Sequence, residues 1–319
     1  MKNRDIGIDI IKFFAAIIIT NSHFGNIYPP SLQALATGGA IGDALFFFCS
    51  GFTLFLKPAG RFDNWYKKRI SRIYPTIFAW AIISAFLFGS TSNMKTTILH
   101  GGGWFVTCIM LYYIVAYFIN RYFYNRLYTA FSVATLIVII SYIMWDRPDN
   151  FGMYGATLLK WVFFFLAMLL GAIIGKNRKV MGEKKSLIIS IVSIIAFYAI
   201  LFMSASNPIA NKLQIISLLP LLALTYSTYS LFNGKTALKL FSKKSVYYIV
   251  MFVGGLCLEI YITQITLLHY DLGLPFPVNY FAMFAIIIIS AYLLRCCAKF
   301  FMQTFNKEDY NWKEIFKAI

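Results

Sequence analysis

Acidic residues are scarce in this chain. Its 319 residues include only 12 Asp and Glu, and all charged residues together make up 13%. A soluble domain carries about a quarter. With 60% hydrophobic residues and a mean hydropathy of +0.69, the composition excludes a soluble enzyme and a disordered chain. Histidine occurs three times, and the five cysteines fall in or beside apolar runs. No Cys or His spacing fits a metal site, so no metal is expected and a disulfide scaffold is excluded. Cys296 and Cys297 read as buried free thiols in a membrane helix, with palmitoylation in a eukaryote as the alternative. No long hydrophilic segment, internal repeat or cleavable signal peptide is evident, because the first apolar run contains Asp9 and Lys12 and lacks a small-residue cleavage site.

What the chain has in excess is apolar runs and positive charge. A membrane-spanning helix needs roughly 20 apolar residues, and ten stretches qualify: 6–22, 40–57, 72–90, 103–120, 128–145, 157–175, 186–204, 212–231, 247–269 and 278–299. The net charge of +17 raises the question of nucleic acid. Alternate connections give a different answer, since 24 Lys and Arg gather on one side and 4 on the other. That asymmetry marks the basic side as cytoplasmic and places both termini there. The expected fold class is all-α: a polytopic membrane protein of about ten transmembrane helices, with a domain over 1–302 and a short cytoplasmic tail over 303–319. No nucleic-acid partner is expected, membrane lipid is, and the oligomeric state is undetermined.

Ionisable residues inside a span are expensive and point to function. The first span holds Asp9 and Lys12 at i, i+3 spacing, which permits an ion pair. His23 follows Lys12 by a rotation about 20° beyond three full turns, so all three share a face, with about 16 Å from Lys12 to His23. The plainer explanation is that Lys12 snorkels to the headgroups and His23 is interfacial. In the second span, Ser50 and Gly51 interrupt an aromatic run, Phe46-Phe47-Phe48-Cys49-Ser50-Gly51-Phe52, where a ligand or another backbone can approach. Helix packing explains that pair equally well. Asp43 near the end of the same span is a candidate carboxylate partner for the imidazole, or a helix-end cap. Arg69 and Arg72 stand one turn apart in a basic segment, suited to clamp a phosphate, although a positive-inside flank has the same composition. Glu259 lies mid-helix in the ninth stretch and needs a partner or a proton. Trp104 is a pocket-rim or aromatic-belt candidate, His269 is placed near the outer end of the ninth stretch, and His100 is read as a loop residue.

Taken in order, these pieces resemble the membrane acyltransferase 3 family of bacterial surface-glycan O-acetyltransferases. The resemblance is carried by Gly7-Ile8-Asp9, the basic residue and histidine at Lys12 and His23, and the aromatic run ending Ser50-Gly51-Phe52. It continues through Arg69-Ile70-Ser71-Arg72-Ile73-Tyr74-Pro75, Trp104-Phe105 and Glu259-Ile260-Tyr261-Ile262. It covers nearly the whole chain and implies a minimal member without a C-terminal hydrolase-like domain. One departure is Gln264, where the family motif often ends in His.

The resemblance implies transfer of an acetyl group from acetyl-CoA to a hydroxyl of a glycan or lipid-linked sugar, in a bacterial inner membrane. Under it, His23, Lys12 and Asp9 are catalytic candidates, and Arg69, Arg72, Lys12 and Ser50 are donor-binding candidates. Asp43, Trp104, Glu259 and Tyr261 are further candidates. The rival reading is a multi-span transporter of a small solute or lipid-linked glycan, which would show an internal repeat and helices broken near the midplane. The sequence shows neither sign.

Overall fold

The computed structural model describes residues 5–88, 97–98, 103–145, 152–155 and 157–318. The protein is an all-α polytopic membrane protein, and its fourteen named helices among the described residues run in order. They are α1 (Ile6–Ser22), α2 (Gly39–Leu54), α3 (Phe62–Phe88), α4 (Trp104–Tyr122), α5 (Leu127–Met144), α6 (Lys160–Asn177) and α7 (Glu183–Ser206). There follow the short α8 (Pro208–Lys212), α9 (Leu218–Phe232), α10 (Lys235–Phe241), α11 (Lys244–Gly255), α12 (Cys257–Leu267), α13 (Val278–Gln303) and α14 (Trp312–Ile315). Each of the ten apolar stretches coincides with a helix or a helix pair. Among the described residues, eight segments are long and apolar enough to cross a membrane, or nine with one bent pair counted as a span. The remaining stretch, α1, has 17 residues and reaches about 25 Å, just short of the hydrocarbon thickness. Lys2, Arg4, Lys95, His100 and Arg147 lie outside the described residues.

The helices show the burial pattern of a bilayer rather than of water. On α7 the buried positions include Ser186, Ser190 and Ser193, while Ile188, Ile191, Val192 and Ile195 are exposed. A helix in water reverses this arrangement. In hydrocarbon the apolar side chains face lipid, and hydroxyls turn inward to bond across helices. Ser190 and Ser227 do so at 2.8 Å, joining α7 to α9.

The helices fall into two compact units. One contains residues up to Ala15, Ala40–Ala59 and Ala116–Tyr247. In it α2 packs closely on α6. A Cβ on Gly51 would collide with the Met168 carbonyl, one on Gly171 with the Phe48 carbonyl, and one on Gly175 would stand 2.6 Å from the Phe52 oxygen. The Ser-Gly interruption of the aromatic run therefore lets two backbones touch, which is the packing explanation offered for it. Asn120 closes this unit at the α2–α3 connection: its amide donates to the carbonyls of Leu54 and Lys57 and accepts from the Ala59 N–H at 2.7 Å.

The other unit contains Ala16–Gly39, Gly60–Val115 and Tyr248–Ile319. Here α12 and α13 pack on α3. The ninth apolar stretch is not one helix. α11 and α12 meet at Leu256 with a bend of 65°, which corrects the expectation of a single continuous stretch over 247–269. The Gly254-Gly255 pair weakens the helix at that point, and Arg295 on α13 donates to the Gly255 carbonyl that the break leaves without a helical partner. Past α13 the chain turns back. Tyr292 donates to the Phe316 carbonyl at 2.7 Å, and Lys299 donates to those of Glu314 and Lys317 at 2.9 and 2.8 Å, which fixes α14 against α13. Cys296 is buried on α13 but Cys297 is exposed, so only one of that pair fits the buried-thiol reading.

Candidate functional site

Candidate residues occur in both units. In the first, Asp5 starts α1: its Oδ1 accepts the Ile8 N–H at 3.3 Å, as an N-cap carboxylate does. Its Oδ2 accepts from Arg178 at 3.1 Å and from the Tyr229 hydroxyl at 3.3 Å. Arg178, in left-handed backbone conformation at φ 53°, also lies over the Phe52 ring at 5.0 Å. The first turn of α1 is thereby tied to α6, α9 and α2, and one turn later Lys12 Nζ stands 3.9 Å from Asp9 Oδ1. Asp9 is buried and Lys12 is half-buried.

Ser50 is half-buried beside Gly51. Asp43, also half-buried on α2, has Lys160 at the start of α6 as its charged neighbour. Sequence spacing drew attention to the carboxylate without this lysine, because Lys160 read as one of four basic residues on the sparse side.

In the second unit, His23 lies one residue past the end of α1 and precedes the 3-10 turn Phe24–Asn26, with φ −90° and ψ −5°. Its imidazole is exposed. The backbone is held: the His23 N–H donates to the Thr20 carbonyl at 3.1 Å, and the next side chain, Phe24, is fully buried against the rings of Tyr280 and Phe284. His23 thus directly follows α1, with its own φ and ψ still in the right-handed helical region.

Arg69 and Arg72 share a flank of α3 but have different neighbours. The Arg69 guanidinium lies 4.0 Å above the Trp65 ring and donates to the Trp65 carbonyl at 3.1 Å. Trp65 is itself fixed, its indole N–H donating to the Tyr113 carbonyl at 3.0 Å. Stacking holds the guanidinium plane while leaving edge N–H groups for an anion. Arg72 is exposed and acts electrostatically on Glu259. Glu259 is 8% exposed, has Thr76 as a polar neighbour, and has Arg295 Nε at 3.9 Å. Arg295 is the functional candidate that sequence reasoning missed, counted there among the charges that set topology. Its place inside the last apolar run was the available signal.

Further along α12, the Tyr261 hydroxyl accepts the Phe105 N–H at 3.4 Å and the two rings are 5.3 Å apart. Gly103 gives that hydroxyl room, since a Cβ there would strike it. The structure thus joins Trp104-Phe105 to the Glu259-Ile260-Tyr261-Ile262 motif, two fragments far apart in sequence. Gln264, one turn after Tyr261, is fully buried, and both its amide atoms lack a hydrogen-bond partner. His269 is exposed. No cluster of metal-ligating side chains exists among the described residues.

Compared with known families, residues 5–296 match the family model described as an acyltransferase domain. No curated protein and no solved structure matches the chain.

Proposed function

Starting from a chain that belongs to the acyltransferase 3 family and is a membrane acyltransferase, we propose that it moves an acetyl group from acetyl-CoA to a sugar hydroxyl of a cell-surface glycan or lipid-linked sugar. The observation that carries this reading is the family match over nearly the whole chain, with an exposed imidazole at His23. A hydroxyl is a weak nucleophile near neutral pH, and histidine is the side chain suited to remove its proton there. In the proposed step, His23 takes the hydroxyl proton as the oxygen attacks the thioester carbonyl. The tetrahedral intermediate then expels the CoA thiolate, and the imidazolium returns its proton to that sulfur. The ester C–O bond forms and the C–S bond breaks, with no other reactant consumed.

Arg69 and Arg72 take the phosphates of the donor on the cytoplasmic side of a bacterial inner membrane. The pre-stacked Arg69 offers a fork whose plane is set before the ligand arrives. Lys12 draws the anionic donor, and Asp9 offsets the cost of burying that ammonium group. Ser50 is a further donor-binding candidate, and Asp43, Trp104, Glu259 and Tyr261 are further candidates for supporting roles.

The broken α11–α12 span is a feature that transporters also use. A ligand stabilises the state that binds it, so a thermal melt of the purified protein separates the readings. Acetyl-CoA and CoA are expected to raise the midpoint in a concentration-dependent way, and an unchanged midpoint at millimolar CoA would count against the transferase reading.

A further inference from the structure

Asn21 has no charge and no reactive atom, yet its amide makes four hydrogen bonds. Nδ2 donates to the carbonyls of Leu35 at 2.8 Å and Thr37 at 3.2 Å, while Oδ1 accepts from the hydroxyls of Tyr28 at 2.9 Å and Tyr280 at 3.0 Å. A primary amide has two donor hydrogens and two acceptor lone pairs, so its capacity is filled. Carbonyls only accept, which fixes the end of the amide that faces Leu35 and Thr37.

The partners come from both ends of the 24–38 connection and from the first turn of α13. Asn21 therefore ties α1, that connection and α13 together two residues before His23. On the other side of His23, Phe24 is seated between Tyr280 and Phe284 at 5.1 and 4.7 Å. Tyr280 thus takes part in both anchors, by its hydroxyl to Asn21 and by its ring to Phe24. The backbone of His23 is gripped from both sides while the residue itself stays exposed. An exposed loop histidine with no task needs no such fixing. A general base does, because its nitrogen must meet a substrate hydroxyl within a fraction of an ångström.

We infer that Asn21 is a positioning residue for His23, acting with Tyr28 and Tyr280 to set where the imidazole stands for proton transfer. The inference rests on the reading of His23 as the base. It also assigns α13 a part in catalysis that its apolar sequence does not suggest.

The test uses the full-length protein in native membranes, which supply the acceptor, with radiolabelled acetyl-CoA as donor. Turnover per folded molecule and the KM for acetyl-CoA are read separately for wild type, Asn21→Ala, Tyr280→Phe and His23→Ala. Asn21→Ala is expected to lower kcat of order 100-fold with the donor KM unchanged within about twofold. Tyr280→Phe removes one of the four bonds and should lower kcat up to roughly tenfold. A purely structural role would reduce the amount of folded protein and leave turnover per molecule intact. Wild-type kcat in Asn21→Ala and Tyr280→Phe beside an inactive His23→Ala overturns the positioning role and leaves the function standing. Full turnover in His23→Ala overturns both. If Asn21→Ala does not reach the membrane, Tyr280→Phe decides alone.

Discussion

Arg295 on α13 donates to the carbonyl of Gly255, the last residue of α11, while its Nε stands 3.9 Å from the buried carboxylate of Glu259 on α12. One guanidinium thus stitches the two helices of the bent pair. A Cβ on Gly255 would come within 3.3 Å of it, so the glycine both weakens the helix and admits the cap.

Removing Arg295 leaves a carboxylate buried without its principal counter-ion. Arg295→Ala is expected to destabilise the protein by roughly 3–5 kcal/mol. Arg295→Met combined with Glu259→Leu should recover most of that loss, yet keep a deficit of about 1–3 kcal/mol for the uncapped Gly255 carbonyl. Thermal unfolding in detergent of Arg295→Met, Glu259→Leu and their combination, beside Arg295→Ala, measures both terms, and simple additivity of the two single changes would refute the stitch.

The α2–α6 contact makes a sharper steric prediction. Gly51→Ala drives a methyl group into the Met168 backbone, which cannot rotate away as a side chain would. A loss of about 1–3 kcal/mol is expected. Gly182→Ala serves as control, because a Cβ there meets nothing within 4 Å, and it should change stability by less than about 0.5 kcal/mol. Equal effects at the two positions would mean that the helices do not approach closely.

Gln264 buries an amide whose N and O both lack partners. Such a group costs about 1–3 kcal/mol of desolvation. Gln264→Met, similar in volume and apolar, is expected to raise the thermal midpoint, and a lower midpoint would show that the amide is satisfied by water or substrate.

For the donor, Arg69→Ala and Arg72→Ala are each expected to weaken acetyl-CoA binding by roughly tenfold, about 1.4 kcal/mol. The wild-type affinity should also fall as salt rises, because the contact is at an exposed surface. Arg69→Lys keeps the charge but loses the planar fork and stacks less well on Trp65, so it should bind weakly as well. Isothermal titration in detergent gives these affinities, and wild-type values in all three variants would remove the arginines from the donor site.

Much of the fold was legible in the sequence because a bilayer imposes one simple rule: a span needs a long apolar run. Ten such runs coincide with the helices. The break at Leu256 was not legible, since two glycines in an apolar stretch leave its hydropathy unchanged. Within the site, the i, i+3 spacing of Asp9 and Lys12 could be read directly. Arg295 was obscured by the positive-inside pattern to which it was assigned. Asn21 was invisible for a different reason: its role depends on Tyr280, 259 positions away, and on carbonyls that have no sequence signature.

The most direct measurement of the central claim is acetyl transfer by His23→Ala, produced in the membrane at wild-type level and supplied with radiolabelled acetyl-CoA and native acceptor. Loss of the proton-accepting group is expected to lower transfer by 100-fold or more, of order 10²–10⁴ for a positioned general base, while acetyl-CoA still raises the thermal midpoint. Transfer at the wild-type rate in that variant would contradict the assignment of His23.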